Sequence, residues 1–252
     1  MPDEVLTGGS LTPVVRRGDT VRRQMGPWTP GVHALLQYLR SEDFLGCPEV
    51  LGVDGHHEVL AHLPGEVLVY PPTGWFLGPT IPRAIGELLR RLHDAMPPLG
   101  EIAFCPPYPA EGAHEIVCHG DFSPTNLLFV GGRPSAVLDF DFAGPGPRAW
   151  DVASCLYRTA PLHAPELYAV WGQPAPSLPQ LLQRARDFLA GYAFPVSGLL
   201  DTVEAQVGRH IRMIVSGDPM FDLPRRERHD QAYALDLAWL RHNRGTLEGE
   251  LV

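Results

Sequence analysis

Four polar residues between positions 119 and 139 have the types and spacing that phosphoryl transfer requires. Asp121 lies two residues after His119, Asn126 lies five residues after Asp121, and Asp139 follows after thirteen more. Phosphoryl transfer needs a carboxylate that orients the attacking hydroxyl, and it needs hard oxygen ligands for Mg²⁺. We therefore predict that Asp121 is the catalytic residue and that Asn126 and Asp139 bind Mg²⁺.

The segment between Asn126 and Asp139 is predicted to form a β-hairpin. An apolar run over 127–130 is followed by a Gly-Gly turn and then by a second apolar run over 136–138. Two short apolar runs joined by such a turn are typical of adjacent antiparallel strands. The hairpin would bring Asn126 and Asp139 within reach of one metal ion.

This pattern resembles the aminoglycoside phosphotransferase and choline-kinase-like enzymes of the protein-kinase-like superfamily. Protein kinases carry H-R-D, a following Asn and then D-F-G, and here glycine replaces the arginine after the histidine. The resemblance implies an α+β, bilobal fold with a small N-terminal β-sheet lobe containing one helix and a larger, mostly helical C-terminal lobe. We place the boundary near Pro64, which gives a nucleotide-binding lobe at 1–64 and a catalytic and acceptor-binding lobe at 65–252.

The resemblance also implies a nucleotide site for ATP or GTP. Glycines at Gly8 and Gly9, followed by Ser10, would let backbone N–H groups approach the phosphates. His62 and Leu63 resemble the segment between the lobes whose backbone holds the adenine edge in related kinases. These five residues, together with one arginine, are the predicted cofactor-binding set.

That arginine stands where related kinases carry a basic residue on the third strand. The chain contains no lysine, so Arg22 or Arg23 must fill the position. Strand alternation sends the two side chains to opposite faces, and we predict that Arg22 points into the cleft. The next helix, predicted over 28–40, carries Val32 or His33 where relatives supply a glutamate, and His33 is expected to cap or pack.

Composition excludes several classes of function. The 252-residue chain has a formal charge of −9 and 44% apolar residues, which is ordinary for a globular protein. The acidic balance argues against general nucleic-acid binding. The four cysteines form no C-x-x-C pair, so neither a zinc site nor a disulfide framework is indicated. No apolar run approaches the length of a membrane span, and we expect a cytoplasmic protein.

The resemblance implies a kinase that transfers the γ-phosphoryl group of ATP or GTP to a hydroxyl of a small acceptor. Aminoglycosides, other hydroxylated antibiotics, amino alcohols and sugars all remain open, which makes antibiotic resistance one expected role. Five helices are predicted after residue 150, and in relatives this region forms the acceptor pocket. Candidate contacts there are Tyr157, Arg158, Glu166, Asp187, Tyr192, Asp218 and Asp222.

Two alternatives remain. The first is a weak or inactive pseudokinase that acts by binding a ligand or toxin, since some similar proteins are described as immunity proteins against peptide toxins. The missing lysine and helix glutamate favour it, whereas the retained Asp121, Asn126 and Asp139 disfavour it, because clustered carboxylates repel one another without a metal. The second is a kinase for macromolecules, which the absence of an A-P-E motif disfavours.

Overall fold

The computed structural model describes residues 4–6, 14–69, 78–193, 195 and 198–251. The strands are β1 (Glu4–Leu6), β2 (Val14–Arg17), β3 (Thr20–Gln24), β4 (Val50–Asp54), β5 (His57–Ala61), β6 (Glu66–Val67), β7 (Ile116–Cys118), β8 (Leu127–Val130), β9 (Arg133–Val137) and β10 (Gly144–Gly146). The helices are α1 (Thr29–Ser41), α2 (Ile81–Asp94), α3 (Arg148–Thr159), α4 (Pro165–Val170), α5 (Leu178–Tyr192), α6 (Leu199–Val215), α7 (Asp222–Arg226) and α8 (His229–Leu251). Sheets dominate the N-terminal half and helices the C-terminal half, which confirms the predicted α+β class.

The N-terminal sheet is antiparallel, with the strand order β1-β2-β3-β5-β4. The β2–β3 turn at Gly18-Asp19 was predicted from the sequence, and Gly18 has the positive φ of 61° that such turns favour. Because β3 pairs with β5 and not with β4, Arg23 lies directly opposite Glu58. This pairing joins two charged residues that are 35 positions apart in the chain.

Helix α1 connects β3 to β4 and lies close to its predicted bounds. Pro30 stands in its first turn, where a missing N–H costs nothing. Val32, Leu35 and Leu36 recur at helical spacing and are buried. Thr29 lies inside the first turn, and its hydroxyl accepts a hydrogen bond from the N–H of Gly26 at 2.9 Å. The buried stripe therefore fixes which side of α1 faces the protein interior.

Two small sheets follow. Strands β8 and β9 form the predicted hairpin around Gly131 and Gly132, whose φ angles are 57° and 73°. Strand β6 pairs with β8 on the other side, and β7 pairs with β10. The hairpin and β7 are the elements that carry the predicted catalytic and metal-binding residues.

The chain divides into two compact units, and all of the strands belong to the first. This unit comprises residues 1–81 and 88–151, and the second comprises 82–87 and 152–252. The predicted lobe boundary at Pro64 falls inside the first unit and stays a prediction. Segments that contain glycine and proline at 172–176 and 217–219 separate helices of the second unit. Among the described residues, no helix combines the length and apolar character that a membrane span requires.

Candidate active site

His119 fastens the loop that follows β7. Its ring is buried between Phe122 and Phe140, and its Nε2 lies 2.9 Å from the carbonyl oxygen of Leu138. Its Nδ1 accepts the N–H of Asp121 at 3.3 Å. A neutral imidazole with its proton on Nε2 satisfies both contacts. His119 therefore ties the loop to the segment that leads into Asp139.

Asp151, in the first turn of α3, holds the same loop from the other side. Its carboxylate accepts the N–H of His119 at 2.6 Å and the N–H of Gly120 at 2.9 Å. His93 contacts the same carboxylate at 3.0 Å. Burial alone would raise the pKa of Asp151, but the hydrogen bonds outweigh it and the pKa is lowered. Asp151 therefore braces the loop after β7, and its contact with His93 joins two residues that are 58 positions apart in the chain.

Gly120 is the residue that allows this loop to lie so close to the following segment. Its φ is 85°, in the left-handed region, and a Cβ atom there would lie 2.1 Å from the carbonyl oxygen of Phe142. Any larger residue would force the loop away from the Asp139 segment. The glycine that distinguishes this chain from H-R-D kinases is therefore required by packing.

Asn126 fixes the carboxylate of Asp121. Its amide nitrogen donates to the backbone carbonyl oxygen and to Oδ2 of Asp121, both at 2.9 Å. Because both partners are acceptors, the side-chain atom that contacts them is assigned as the amide nitrogen. The amide oxygen of Asn126 takes part in neither contact. One side chain can thus orient the candidate catalytic carboxylate and present an oxygen to a cation.

The hairpin returns Asp139 to the neighbourhood of Asn126. Leu127 pairs with Val137, and the N–H of Leu138 donates to the carbonyl oxygen of Asn126 at 2.8 Å. Asp139 itself has a φ of 61° and precedes a short 3-10 helix, Phe140–Phe142. The chain is therefore not extended from 139 to 141, because the backbone turns left-handed at Asp139.

Arg23, and not Arg22, faces these carboxylates. Its NH1 lies 3.0 Å from Asp139 Oδ1, and its NH2 lies 2.5 Å from Asp141 Oδ1. Arg22 instead pairs with Asp54, a residue whose side chain is exposed. The prediction that Arg22 points into the cleft is wrong by one residue of strand register, since adjacent side chains alternate between faces.

The charges of this cluster perturb one another. Burial would lower the pKa of Arg23, but the carboxylates of Asp139, Asp141 and Glu58 outweigh burial and raise it. Burial and the neighbouring Asp139 raise the pKa of Asp141 to about 6, although Arg23 opposes the shift. The guanidinium of Arg23 is thus fully charged. With a pKa of about 6, the carboxyl group of Asp141 is largely but not completely ionised at neutral pH.

Glu58 and His33 belong to the cluster, and the sequence reasoning missed the part that Glu58 plays. Glu58 Oε1 accepts from Nε of Arg23, and Oε2 lies 2.7 Å from Nε2 of His33 on α1. The expectation that α1 lacks a glutamate holds, and a strand glutamate partners the arginine instead. Its signal in the sequence is the alternation of β5, which places Glu58 on the same face as the apolar Leu60, and both side chains are buried in the structure.

A cavity of about 290 Å³ adjoins the cluster. Arg23, Asn126 and Asp139 line one part of it, and apolar residues of β2, β3, β5 and β8 line much of the rest. His62 and Leu63 also line it. The N–H of His62 is used by the carbonyl oxygen of Asp19 at 2.9 Å, whereas within the described part of the chain no hydrogen bond uses the N–H of Leu63. The predicted residues Gly8, Gly9 and Ser10 lie outside the described residues.

The oxygen donors around this cavity fit a hard divalent cation. Asn126 offers an amide oxygen, and Asp139 and Asp141 offer carboxylates, which are the ligand types that Mg²⁺ prefers. The same two carboxylates already hold the cationic guanidinium of Arg23. Among the described residues, no group of three or more His, Cys, Asp or Glu is arranged to hold a metal. A cation here would therefore depend on phosphate and water oxygens to complete its coordination.

The candidate acceptor residues of the helical unit are mostly structural. Tyr157 is buried and donates to Asp236, and Tyr192 is completely buried. Asp218 caps a 3-10 helix by accepting the N–H of Met220 at 2.9 Å. These contacts give no indication of an acceptor.

Residues 99–192 match the sequence model of a family described as the phosphotransferase enzyme family. The chain is 34% identical over 181 residues to a protein named "Trifolitoxin immunity protein" from Rhizobium leguminosarum bv. trifolii. That alignment covers 65% of this chain and 64% of the relative, so the matched region spans less than two thirds of the relative's length. The match over 99–192 confirms the family resemblance that the residues around His119 indicated.

Solved structures confirm the fold. A choline/ethanolamine kinase family protein from Mesorhizobium loti is similar with a TM-score of 0.60 and 17% identity, covering 100% of this chain and 92% of that one. An aminoglycoside phosphotransferase from Streptomyces rimosus, in complex with ADP and streptomycin, has a TM-score of 0.56 and 15% identity, covering 80% and 88%. The protein-kinase-like fold predicted from the sequence is therefore confirmed.

Proposed function

Because residues 99–192 match the phosphotransferase enzyme family, we propose that this protein transfers the γ-phosphoryl group of ATP or GTP to a hydroxyl of a small molecule. The observation that carries the proposal is the cluster formed by Asp121, Asn126 and the Asp139 segment beside Arg23. Phosphoryl transfer depends on positioning and charge stabilisation more than on covalent chemistry. This cluster offers both.

In this proposal Asp121 accepts a hydrogen bond from the acceptor hydroxyl and aligns its oxygen with the γ-phosphorus. Asn126 orients that carboxylate through the hydrogen bond to Oδ2. The oxygen of Asn126 and the carboxylate of Asp139 would hold Mg²⁺, which neutralises phosphate charge when it is bound. Arg23 would bind the phosphates directly with its fork of N–H donors.

The base of the nucleotide would occupy the apolar part of the cavity. Val21, Leu60 and Leu128 line it from three strands, and the N–H of Leu63 can donate to an edge nitrogen of a purine. Ligand cavities of this kind bury an apolar body and fix its orientation with a few polar groups. The 290 Å³ volume lies at the lower end of the range for small-molecule sites.

Calorimetric titration with ATP and GTP, with and without Mg²⁺, tests the proposal. We expect Mg²⁺-dependent binding that weakens by roughly 10- to 100-fold in Asp139→Asn, the loss of about one charge-assisted contact. Asparagine tolerates the left-handed backbone at this position, so the substitution leaves the turn intact. Wild-type protein that binds neither nucleotide at millimolar concentration would reject the proposal.

Arg23→Gln is expected to weaken binding of Mg²⁺-ATP by roughly tenfold, because a charged donor to phosphate is lost. Arg22→Gln is the matched control, since it makes the same change one residue earlier on β3, where the partner is Asp54. We expect it to change the affinity by less than about twofold. Equal losses in the two variants would contradict the assignment of phosphate binding to Arg23 over Arg22.

A second candidate function is immunity by binding without turnover. The relative named as a trifolitoxin immunity protein favours it, and so does Arg23. The guanidinium lies between Asp139 and Asp141, so it offsets the repulsion of these carboxylates without a metal. The carboxylates can therefore be retained in a protein that binds no metal and catalyses no reaction. Phosphate transfer to any acceptor would decide for the kinase.

Hydroxyl-rich cationic antibiotics are the first acceptors to screen. The formal charge of −9 favours cationic ligands, and the fold relative from Streptomyces rimosus was solved with streptomycin. We propose this class for the acceptor, with amino alcohols and sugars as the next to test.

A further inference from the structure

We infer that Glu58, held by His33, is the residue that positions Arg23 for the nucleotide phosphates. This inference rests on the proposed function, because it assigns Arg23 a phosphate to bind. Neither Glu58 nor His33 needs to touch the nucleotide, and both act through Arg23. They are positioning residues.

Glu58 is immobilised by two different partners. Its side chain is 1% exposed, Oε1 accepts from Nε of Arg23, and Oε2 lies 2.7 Å from His33 Nε2. Because each oxygen has its own partner, the carboxylate cannot rotate without breaking a charge-assisted or buried hydrogen bond. Glu58 therefore offers Arg23 one fixed acceptor.

The two ends of the Arg23 guanidinium meet different environments. Nε is bound to the buried Glu58, whereas NH1 and NH2 are bound to Asp139 and Asp141. The side chain of Asp139 is 42% exposed, so solvent or a cation can compete for it. A bound metal-nucleotide complex would bind Asp139 in place of Arg23. The terminal nitrogens of Arg23 could then donate to the phosphates, while its Nε remains hydrogen-bonded to Glu58. The arginine fork allows this division, because its five donors are held in a fixed plane.

His33 connects this arrangement to helix α1. The buried residues Val32, Leu35 and Leu36 fix the rotation of the helix, and with it the direction of the His33 side chain. A carboxylate can only accept a hydrogen bond, so the imidazole donates from Nε2. The position of α1 therefore helps to fix Glu58, and Glu58 in turn helps to fix the guanidinium of Arg23.

The test compares Glu58→Gln and His33→Ala with Asp54→Asn as the matched control. Asp54, at the end of β4, is the partner of Arg22, so the control removes the same kind of charge beside an arginine that faces elsewhere. Each folded variant is titrated with Mg²⁺-ATP and with adenosine, which occupies the apolar cavity but has no phosphate. We expect Glu58→Gln to weaken Mg²⁺-ATP binding roughly tenfold and His33→Ala roughly threefold. Adenosine affinity and the control should change by less than about twofold.

The results of these titrations distinguish a wrong assignment of Glu58 from a wrong proposed function. A folded Glu58→Gln variant that binds Mg²⁺-ATP like the wild type overturns the inference. If this variant does not fold, His33→Ala decides by the same criterion. Wild-type protein that fails to bind Mg²⁺-ATP overturns the proposed function. The Arg23–Glu58 pair is then judged by thermal unfolding of Arg23→Gln, Glu58→Gln and the double variant. Additive losses in the melting temperature would reject the pairing, and a double loss smaller than the sum would support it.

Discussion

Asp121→Asn is expected to lower turnover by roughly 10²- to 10⁴-fold, the range over which a positioned carboxylate contributes to proton transfer. The substituted side chain has the same size, and its amide oxygen can still accept the hydrogen bond that Asn126 donates to Oδ2. The loop should therefore keep its conformation, and affinity for Mg²⁺-ATP should stay within about twofold, because phosphate binding is assigned to other residues. ADP release with an acceptor found by screening provides the measurement.

Asp201→Asn is a suitable control for that experiment. Asp201 lies in the first turn of α6, and its exposed carboxylate accepts a hydrogen bond from Arg244 at 2.7 Å. Its replacement should leave turnover unchanged. Wild-type turnover in Asp121→Asn would show that the catalytic assignment is wrong, whereas loss of both turnover and nucleotide binding would indicate a disrupted loop.

Asp151→Asn is expected to destabilise the protein by about 3 kcal/mol, because a buried donor left without its acceptor costs about 1–3 kcal/mol and the substitution disturbs several such donors at once. The carboxylate accepts the N–H groups of His119 and Gly120 and also contacts His93. An amide has one acceptor oxygen, and its NH₂ group would face a donor. Thermal unfolding followed by circular dichroism should show a midpoint lower by on the order of 10 °C.

The pH dependence gives this second experiment an additional signature. The pKa of Asp151 is lowered in the folded protein, because the hydrogen bonds to its charged form outweigh burial. Its contribution to stability is therefore present above the ordinary pKa of about 4 and is lost as the pH falls through the lower folded value. As the pH falls through this range, the free energy of unfolding of Asp151→Asn should therefore decrease less than that of the wild type.

Asp222→Asn serves as the control for Asp151. Asp222 stands in the first turn of α7 and pairs with Arg225 at 3.2 Å on the surface. Its loss should cost no more than about 1 kcal/mol. An Asp151→Asn variant that unfolds at the wild-type temperature would mean that the carboxylate does not brace the loop.

Local patterns predicted a large part of the fold. The Gly-Gly turn predicted the hairpin of β8 and β9, and helix α1, predicted over 28–40, lies within one residue of those bounds. The predicted hairpin places Asn126 beside Leu138. All of these features depend on residues that are near one another in the chain, where spacing carries the information.

The errors concern pairings between distant residues. Alternation showed that Arg22 and Arg23 point to opposite faces, but only the packing of the whole sheet determines which face is inside. Glu58 became a partner of Arg23 because β5 lies between β3 and β4, a strand order that adjacent residues do not encode. The contact of His93 with Asp151 spans 58 positions and was missed for the same reason.

Under the proposed function, the charges around Arg23 also determine whether the free nucleotide or its complex with a divalent cation binds more readily. One positive charge faces the carboxylates of Glu58, Asp139 and Asp141, so this cluster is net negative when all three are ionised, and Arg23, Asp139 and Asp141 line the cavity. A bare triphosphate would meet repulsion there, whereas its complex with a divalent cation carries less charge and brings the counter-ion that the carboxylates require. Under the proposed function, the cluster would therefore favour binding of the metal complex over binding of the free nucleotide.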